Sequence, residues 1–156
     1  MAFRFIGLDV KPFLPLFELS DRDLMTRGAR RQVADASQPG FPCRVTLEEA
    51  QCGEKLLLTN FEHQPANSPY RSSHAIYVRE IARKQFDQPD VVPNPMRSRL
   101  LSVRAFSAAG MMVSADIVDG QNVEGLICRQ LEDREAAYLH VHFAKRGCFG
   151  ARVERG

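Results

Sequence analysis

The stretch AAYLHVHFAKRGCFGARVE, residues 136–154, decides the fold because two alternating segments flank one turn. Leu139, Val141 and Phe143 alternate with more polar residues, and this period of two is typical of a strand with one buried face. The turn sequence Lys145-Arg146-Gly147 suits a three-residue hairpin loop whose last residue is a left-handed glycine. We therefore predict an antiparallel hairpin whose apolar face packs against the core.

The length of this loop sets the register of the hairpin. A loop of residues 145–147 pairs Ala144 with Cys148, His142 with Gly150 and His140 with Arg152. The second, more polar face then gathers six residues: Tyr138, His140, His142, Cys148, Gly150 and Arg152. Since Gly150 has no side chain, we expect space beside His142 for a ligand or a neighbouring loop.

The rest of the chain predicts more strands and a few short helices. Strands are indicated at residues 3–8, 55–61, 74–80, 100–106 and 111–118, and loops at 63–73 and 88–95. Capping-box patterns at Ser20 and Thr46 predict short helices, and apolar residues at helical spacing predict an amphipathic helix at 121–131. We expect the α+β class, as a single domain over residues 1–156 with a mostly antiparallel sheet built from hairpins.

Composition narrows the class of function. The net charge is only +2, Trp is absent and Tyr occurs three times, so we expect neither a nucleic-acid partner nor base stacking. We also expect no membrane partner, because we find no signal peptide and no apolar run that could span a bilayer. The cytoplasm is the expected compartment, with four free thiols, and a homodimer is compatible with the sequence.

Several separate motifs resemble the bacterial domain-of-unknown-function family 1203. They are PCR at 42–44, GE at 53–54, SPYRSSHAIYVRE at 68–80, HVHFAKRGC at 140–148, and Arg152. The motifs match in order, and the resemblance runs from about residue 3 to residue 155. It implies a bacterial source for the chain, but no activity, substrate or cofactor that can be transferred.

Arginine supplies 17 of the 21 basic residues, and our leading hypothesis is a domain that binds a small anionic molecule. The candidate ligand-binding residues are Arg44, Tyr70, Arg71, Ser72, Arg104 and Arg152. The loop around Arg71 concentrates hydrogen-bond donors, which suit a carboxylate or a phosphate. In the hairpin of residues 100–118, a loop at 108–110 places Arg104 opposite Ser114. His140 and His142 would add donors or carry protons.

Two enzyme hypotheses and one non-catalytic hypothesis remain open beside the anion-binding hypothesis. His140 and His142 could hold a metal such as zinc, with His63, His74 or Cys148 as a third ligand. Alternatively, Cys148 could act as a catalytic nucleophile, activated by a neighbouring imidazolium of His140 or His142 and by Arg152. The third alternative is a protein-interaction module, in which the polar face is flat and solvated.

Overall fold

The computed structural model describes residues 2–37 and 40–156. The strands of this part of the chain are β1 (Phe3–Ile6), β2 (Arg30–Val33), β3 (Lys55–Gln64), β4 (Ser72–Arg79), β5 (Asp87–Pro89), β6 (Leu100–Phe106), β7 (Met112–Asp119), β8 (Tyr138–Phe143) and β9 (Phe149–Arg155). The helices are α1 (Leu14–Phe17), α2 (Asp21–Thr26), α3 (Asn94–Arg97) and α4 (Val123–Glu132), and a 3₁₀ turn (Gly120–Asn122) precedes α4. None of the helices described is long and apolar enough to cross a membrane.

Two antiparallel sheets organise the chain. The large sheet has six strands in the order β5-β1-β9-β8-β6-β7, and the small sheet has three in the order β2-β3-β4. Every strand pair is antiparallel, which confirms the predicted α+β class with hairpin-built sheets. The C-terminal hairpin, β8–β9, forms the centre of the large sheet, so both of its faces can be covered.

Helix α4 covers one face of the large sheet. Its buried apolar residues recur at helical spacing and join one core with the alternating residues of the two central strands: Val123, Leu126, Ile127, Leu131, Leu139, Val141, Ala151 and Val153. Full burial of a large apolar side chain contributes about 1.5–3 kcal/mol. This core therefore fixes which face of the hairpin points toward α4.

The small sheet reaches the opposite face at the end of strand β3. All six residues of β8 are buried, so the polar side of this strand is covered as well. The Gln64 amide nitrogen donates to the Tyr138 hydroxyl at 2.9 Å, and the His63 ring stacks on Phe149 at 5.0 Å between centroids. Strand β3 runs through Gln64, whereas the sequence predicts a loop from His63 onward.

Residues 44–46 form a turn and Glu49 lies in a β-bridge with Pro42, so the helix predicted from Thr46 is wrong. Leu47 takes a left-handed backbone with φ of 52°. Glu49, the acid of the predicted capping box, instead accepts the backbone N–H of Phe41 at 2.9 Å and pairs with Arg99 at 2.5 Å. Tertiary contacts of this carboxylate therefore replace the local cap. By contrast, the capping box at Ser20 is confirmed, since its hydroxyl accepts the N–H of Asp23 at the start of α2.

The predicted loop at 88–95 also needs correction. It contains the end of strand β5, which pairs with β1, and the start of α3. Pro95 lies in the first turn of α3, where a proline costs no helical hydrogen bond. The prolines of this stretch therefore mark an edge strand and a helix start as well as a loop.

Candidate functional site

The loop of the C-terminal hairpin is one residue longer than predicted. The N–H of Phe143 donates to the carbonyl of Cys148 at 2.9 Å, and the N–H of Gly147 donates to the carbonyl of Phe143 at 2.7 Å. The loop therefore comprises residues 144–147. Gly147 has φ of 79°, so the left-handed glycine at the end of the loop is confirmed.

The longer loop moves the register of strand β9. His142 pairs with Phe149, and Val141 pairs with Ala151, which leaves Gly150 as an extra residue in a β-bulge. The predicted pair of His142 with Gly150 is thus wrong. The ring of Phe149 lies beside His142, where the sequence predicts open space.

The same shift turns Cys148 away from the histidines. Cys148 lies opposite Phe143 and belongs to the core under α4, while its sulfur accepts a hydrogen bond from Arg44 at 3.1 Å. The prediction that Cys148 shares a face with His140 and His142 is therefore wrong. A nucleophilic role for this thiol loses the neighbouring imidazolium on which the hypothesis depended.

Arginines flank His140 on both neighbouring strands. Arg104 of β6 and Arg152 of β9 are its direct cross-strand partners, so the face predicted for Arg152 is confirmed. On the other side of β6, a bulge shifts the register by one, and Arg104 lies opposite Ala115 instead of the predicted Ser114. The two guanidinium groups therefore project from the same face of the large sheet as His140.

Three histidines meet between the sheets: His63, His140 and His142, which we call the histidine cluster. The ring centroid of His63 lies 5.9 Å from that of His140 and 5.0 Å from that of His142. One ring nitrogen of each histidine lies within 4.8 Å of the others. All three residues are at least nine-tenths buried, with exposed fractions of 9%, 3% and 2%.

Hydrogen bonding orients one ring and leaves nitrogens of the other two without a partner. Nδ1–H of His142 donates to the carbonyl of Gly147 at 2.9 Å, which leaves Nε2 of that ring with a free lone pair. Nδ1 of His63 and Nδ1 of His140 are buried, and no group in the described part of the chain bonds to either. Buried polar atoms without partners are rare, so this cluster has unused binding capacity.

Burial keeps the histidine cluster uncharged at neutral pH. Desolvation lowers the pKa of His63 to about 4, and it lowers the pKa values of His140 and His142 to about 3 each. The positive charge of Arg104 lowers all three pKa values further. At pH 7 the three imidazoles are therefore neutral and offer lone pairs.

Arg104 and Arg152 differ in their partners. Arg104 donates to the Ser102 hydroxyl at 3.2 Å, and no ion pair of Arg104 occurs within residues 2–37 and 40–156. Burial lowers the pKa of Arg104 as well. Arg152 pairs with Glu154 at 2.6 Å and lies over the Tyr138 ring at 4.0 Å. Of these two arginines beside the cluster, Arg104 is therefore the one that forms no ion pair with a carboxylate in the described structure.

The loop around Arg71 reaches the large sheet, but its arginine does not join the histidines. The Tyr70 ring packs edge-on against Phe106 at 6.2 Å. Arg71 is exposed and pairs with Glu62 at 3.0 Å, and the Ser72 hydroxyl donates to the carbonyl of Tyr70. The predicted convergence of this loop on the polar face of the hairpin is therefore limited to the tyrosine.

A cleft of about 720 Å³ opens between the small sheet and the turn of the C-terminal hairpin. Its basic and sulfur-bearing wall residues are Arg44, His74, Arg99, Lys145, Arg146 and Cys148. Its apolar wall includes Phe41, Leu58, Tyr77, Leu100 and Phe143. Two acids, Asp35 and Glu49, also line it, so basic side chains predominate.

The wall of the cleft contains a buried arginine. Arg44 is 2% exposed, and it donates to the carbonyl of Phe149 at 2.7 Å, to the carbonyl of Pro42 at 2.6 Å and to the sulfur of Cys148 at 3.1 Å. In the part of the chain that the structure describes, no carboxylate forms an ion pair with Arg44. A buried charge is normally paired, so this guanidinium is an exception.

A second guanidinium shares an aromatic ring with the first. Arg44 and Arg99 lie over the Phe143 ring, with their central carbons 4.9 and 5.1 Å from its centroid. Burial lowers the pKa of Arg44, and the charge of Arg99 lowers it further. One carboxylate, Glu49, pairs with Arg99 at this wall. Glu49 offsets the charge of Arg99, and the remaining positive charge of Arg44 favours an anion at this wall.

His63 was one of the three residues that the sequence offered as a third metal ligand. The structure places His63 beside His140 and His142. A signal for it exists, because the alternation of Leu57, Thr59 and Phe61 continues to His63 with the period of a strand. His74 instead lines the cleft. The basic residues Arg99 and Arg146 of the cleft were not predicted, since they lie on a connection and a loop that show no pattern.

The molecule is thus an α+β domain with two antiparallel sheets, a histidine cluster between them and a basic cleft beside them. The family "Protein of unknown function (DUF1203)" matches residues 40–155. The chain belongs to this family, which confirms the resemblance seen in the sequence, although residues 3–39 lie outside the match. No match is found among curated proteins or among solved structures.

Proposed function

We propose that this domain binds a small organic anion in the cleft. The observation that carries the proposal is Arg44, a buried guanidinium in the cleft wall whose described partners are two carbonyls and a sulfur. Charge-assisted bonds from a guanidinium to a carboxylate or phosphate are about twice as strong as neutral hydrogen bonds. An anion in the cleft would therefore satisfy the charge that the folded chain leaves unpaired.

The walls of the cleft define the rest of the ligand. Phe41, Tyr77 and Phe143 supply aromatic surface, while Lys145 and Arg146 place two exposed cations at the rim. A pocket with apolar walls and a few charged groups suits a ligand with an apolar body and one anionic end. We therefore propose an aromatic or aliphatic carboxylate or phosphate monoester, and not a highly hydrated inorganic ion.

Competition between charged and neutral analogues tests this proposal. The probe is the fluorescent aromatic sulfonate 1-anilinonaphthalene-8-sulfonate, displaced by phenyl phosphate, by benzoate or by neutral benzyl alcohol. We expect both anions to displace the probe, more weakly as the salt concentration rises, and the alcohol to compete at least about tenfold more weakly. Equal competition by the alcohol would show a merely apolar pocket and would refute the proposal.

A matched pair of arginine variants places the binding in the cleft. Arg146→Ala removes a rim charge, and Arg71→Ala removes an equally exposed charge that pairs with Glu62 outside the cleft. Loss of one exposed charge contact should weaken phenyl phosphate binding by about three- to tenfold in the first variant only. Arg44→Lys keeps the charge but removes the planar fork, so it should also reduce affinity. If Arg71→Ala weakens binding as much as Arg146→Ala, the anion binds elsewhere.

We propose the cytoplasm of a bacterium as the setting of this activity. No disulfide bond joins any of the four cysteines, all of which lie in the described part of the chain. Such thiols persist in a reducing compartment. Subcellular fractionation of cells that express the tagged protein tests the location directly.

A further inference from the structure

The histidine cluster lies outside the cleft and is not used by the proposed anion binding. Its three rings are surrounded by aromatic groups, with His63 stacked on Phe149 at an interplanar angle of 5°. Apolar side chains would fill this space without any buried nitrogen that lacks a partner. The cluster instead retains two such nitrogens and a third free lone pair on His142. One ring nitrogen of each histidine also lies within 4.8 Å of the others, and such convergence of imidazole nitrogens is the property of a cation site.

We propose that His63, His140 and His142 bind a divalent transition-metal ion of the zinc class through one ring nitrogen each. Neutral imidazole is a preferred ligand of Zn²⁺, Co²⁺, Ni²⁺ and Cu²⁺, whereas Mg²⁺ and Ca²⁺ require oxygen ligands. Three protein ligands also leave one coordination position of a tetrahedral ion open. The inference does not depend on the cleft or on its ligand.

The observed distances are close to those of such a site. Zn–N bonds of about 2.0–2.1 Å in tetrahedral geometry place the ligand nitrogens about 3.3–3.4 Å apart. The ring nitrogens of the cluster lie within 4.8 Å of one another, so a shift of about 1.5 Å or less between rings closes the site. His63 is the second-last residue of β3, beside the loop to β4.

The surroundings pre-orient the ligands. The carbonyl of Gly147 holds the Nδ1–H of His142, an arrangement that commonly fixes the tautomer of metal-bound histidines. The stacking of His63 on Phe149 restricts the plane of the His63 ring.

Arg104 indicates the kind of fourth ligand. Its charge acts on all three histidines, and a dication there would be repelled by it. An anionic fourth ligand, such as hydroxide, chloride or a carboxylate, reduces this repulsion. The site therefore suits a metal–anion pair better than a bare ion.

Metal uptake by the full chain tests the inference. Protein stripped with a chelator is dialysed against Zn²⁺ and analysed for metal, and Co²⁺ is titrated with visible absorption as the readout. We expect one ion per chain and the intense absorption of tetrahedral Co²⁺, which Zn²⁺ abolishes. No uptake at stoichiometric level, or the weak absorption of octahedral Co²⁺, would overturn the proposal.

Two histidine variants distinguish the cluster from the rest of the surface. His63→Gln should lower Zn²⁺ affinity by at least about tenfold, because it removes a ligand. His74→Gln changes a histidine of the cleft wall that acts on His63 and His142 through its charge, so it should change the affinity far less. Near-ultraviolet circular dichroism in chelator checks that both variants are folded. An equal loss in the two variants would contradict the assignment.

A readout on the unaltered chain covers the case in which His63→Gln does not fold. Imidazole ¹⁵N resonances of the uniformly labelled protein are recorded before and after one equivalent of Zn²⁺. We expect large shifts for His63, His140 and His142 and none for His74. Shifts confined to His74, or absent from the cluster, would refute the metal site.

Discussion

Mild acid should strongly destabilise this protein through its three buried histidines. Desolvation lowers their folded-state pKa values to about 4 for His63 and about 3 for His140 and His142, against 6.5 in the unfolded chain. Above pH 7 both states are neutral, and the histidines contribute no pH dependence. As the pH falls through 6.5, the unfolded chain takes up protons and the folded chain does not, so stability is lost until the pH passes the folded values near 4 and 3.

The loss of folding stability at pH 5 depends almost entirely on proton uptake by the unfolded chain. For a group of pKa 6.5 that stays neutral when folded, lowering the pH from 7.5 to 5 costs about 2 kcal/mol. Three such histidines give about 6 kcal/mol. A domain typically has only about 5–15 kcal/mol of total stability, so this loss is enough to bring the protein close to unfolding.

Urea denaturation of chelator-treated protein between pH 7.5 and 5, followed by circular dichroism, measures this loss. His63→Gln should reduce the pH-dependent part from about 6 to about 4 kcal/mol, whatever it does to stability at pH 7.5. His74→Gln is the matched control: it removes a charge that lowers the pKa values of His63 and His142 but leaves both residues buried, so it should retain most of the loss. A loss below about 2 kcal/mol in the unaltered protein would mean that the cluster accepts protons in place and would refute the reasoning.

Three further predictions test the packing, the thiols and a buried ion pair. Gly120→Ala should destabilise the fold by about 3 kcal/mol, because the new Cβ would lie 1.9 Å from a backbone carbonyl of α3. Gly125→Ala, on the exposed side of α4, should instead stabilise the fold by about 0.5–1 kcal/mol. Urea denaturation measures both changes. Exposed Cys52 should react with a thiol reagent as fast as the thiol of a free peptide, and buried Cys148 should react at least about 100-fold more slowly. Peptide mapping after timed alkylation measures the two rates. Equal rates would contradict the burial of Cys148. Arg79→Met should cost about 3 kcal/mol in thermal or urea unfolding, because it leaves the mostly buried carboxylate of Glu54, which this arginine bonds at 2.7 Å, without its partner. A neutral result would show that solvent satisfies the Glu54 carboxylate.

The sequence alone determined the elements whose signals are local. The alternation in residues 138–143 and the glycine at 147 define the C-terminal hairpin, and apolar residues at helical spacing define α4. These patterns depend on neighbours within a few residues, because the periods of strand and helix are properties of the backbone. For the same reason His140, Arg152 and Tyr138 were assigned to the correct face.

The register on the far side of the turn was decided by tertiary packing. A three-residue and a four-residue loop both suit the sequence at 144–147, and the choice between them moves Phe149 and Cys148 to opposite faces. In the observed register the Phe149 ring stacks on His63 and the Cys148 side chain joins the core, so both side chains are buried. The bulge at Gly150 then restores the alternation. A glycine inside a strand often marks a bulge, but its presence does not decide between the two loop lengths.

The site itself depends on contacts between residues far apart in the chain. His63 meets His142 across 79 positions, and Arg44 bonds the carbonyl of Phe149 across 105 positions. A sequence specifies which residues can bind a metal or an anion, since that follows from their side-chain chemistry. Which of them meet is decided by how the small sheet packs on the large one, because only the sum of many weak contacts over both sheets fixes that arrangement.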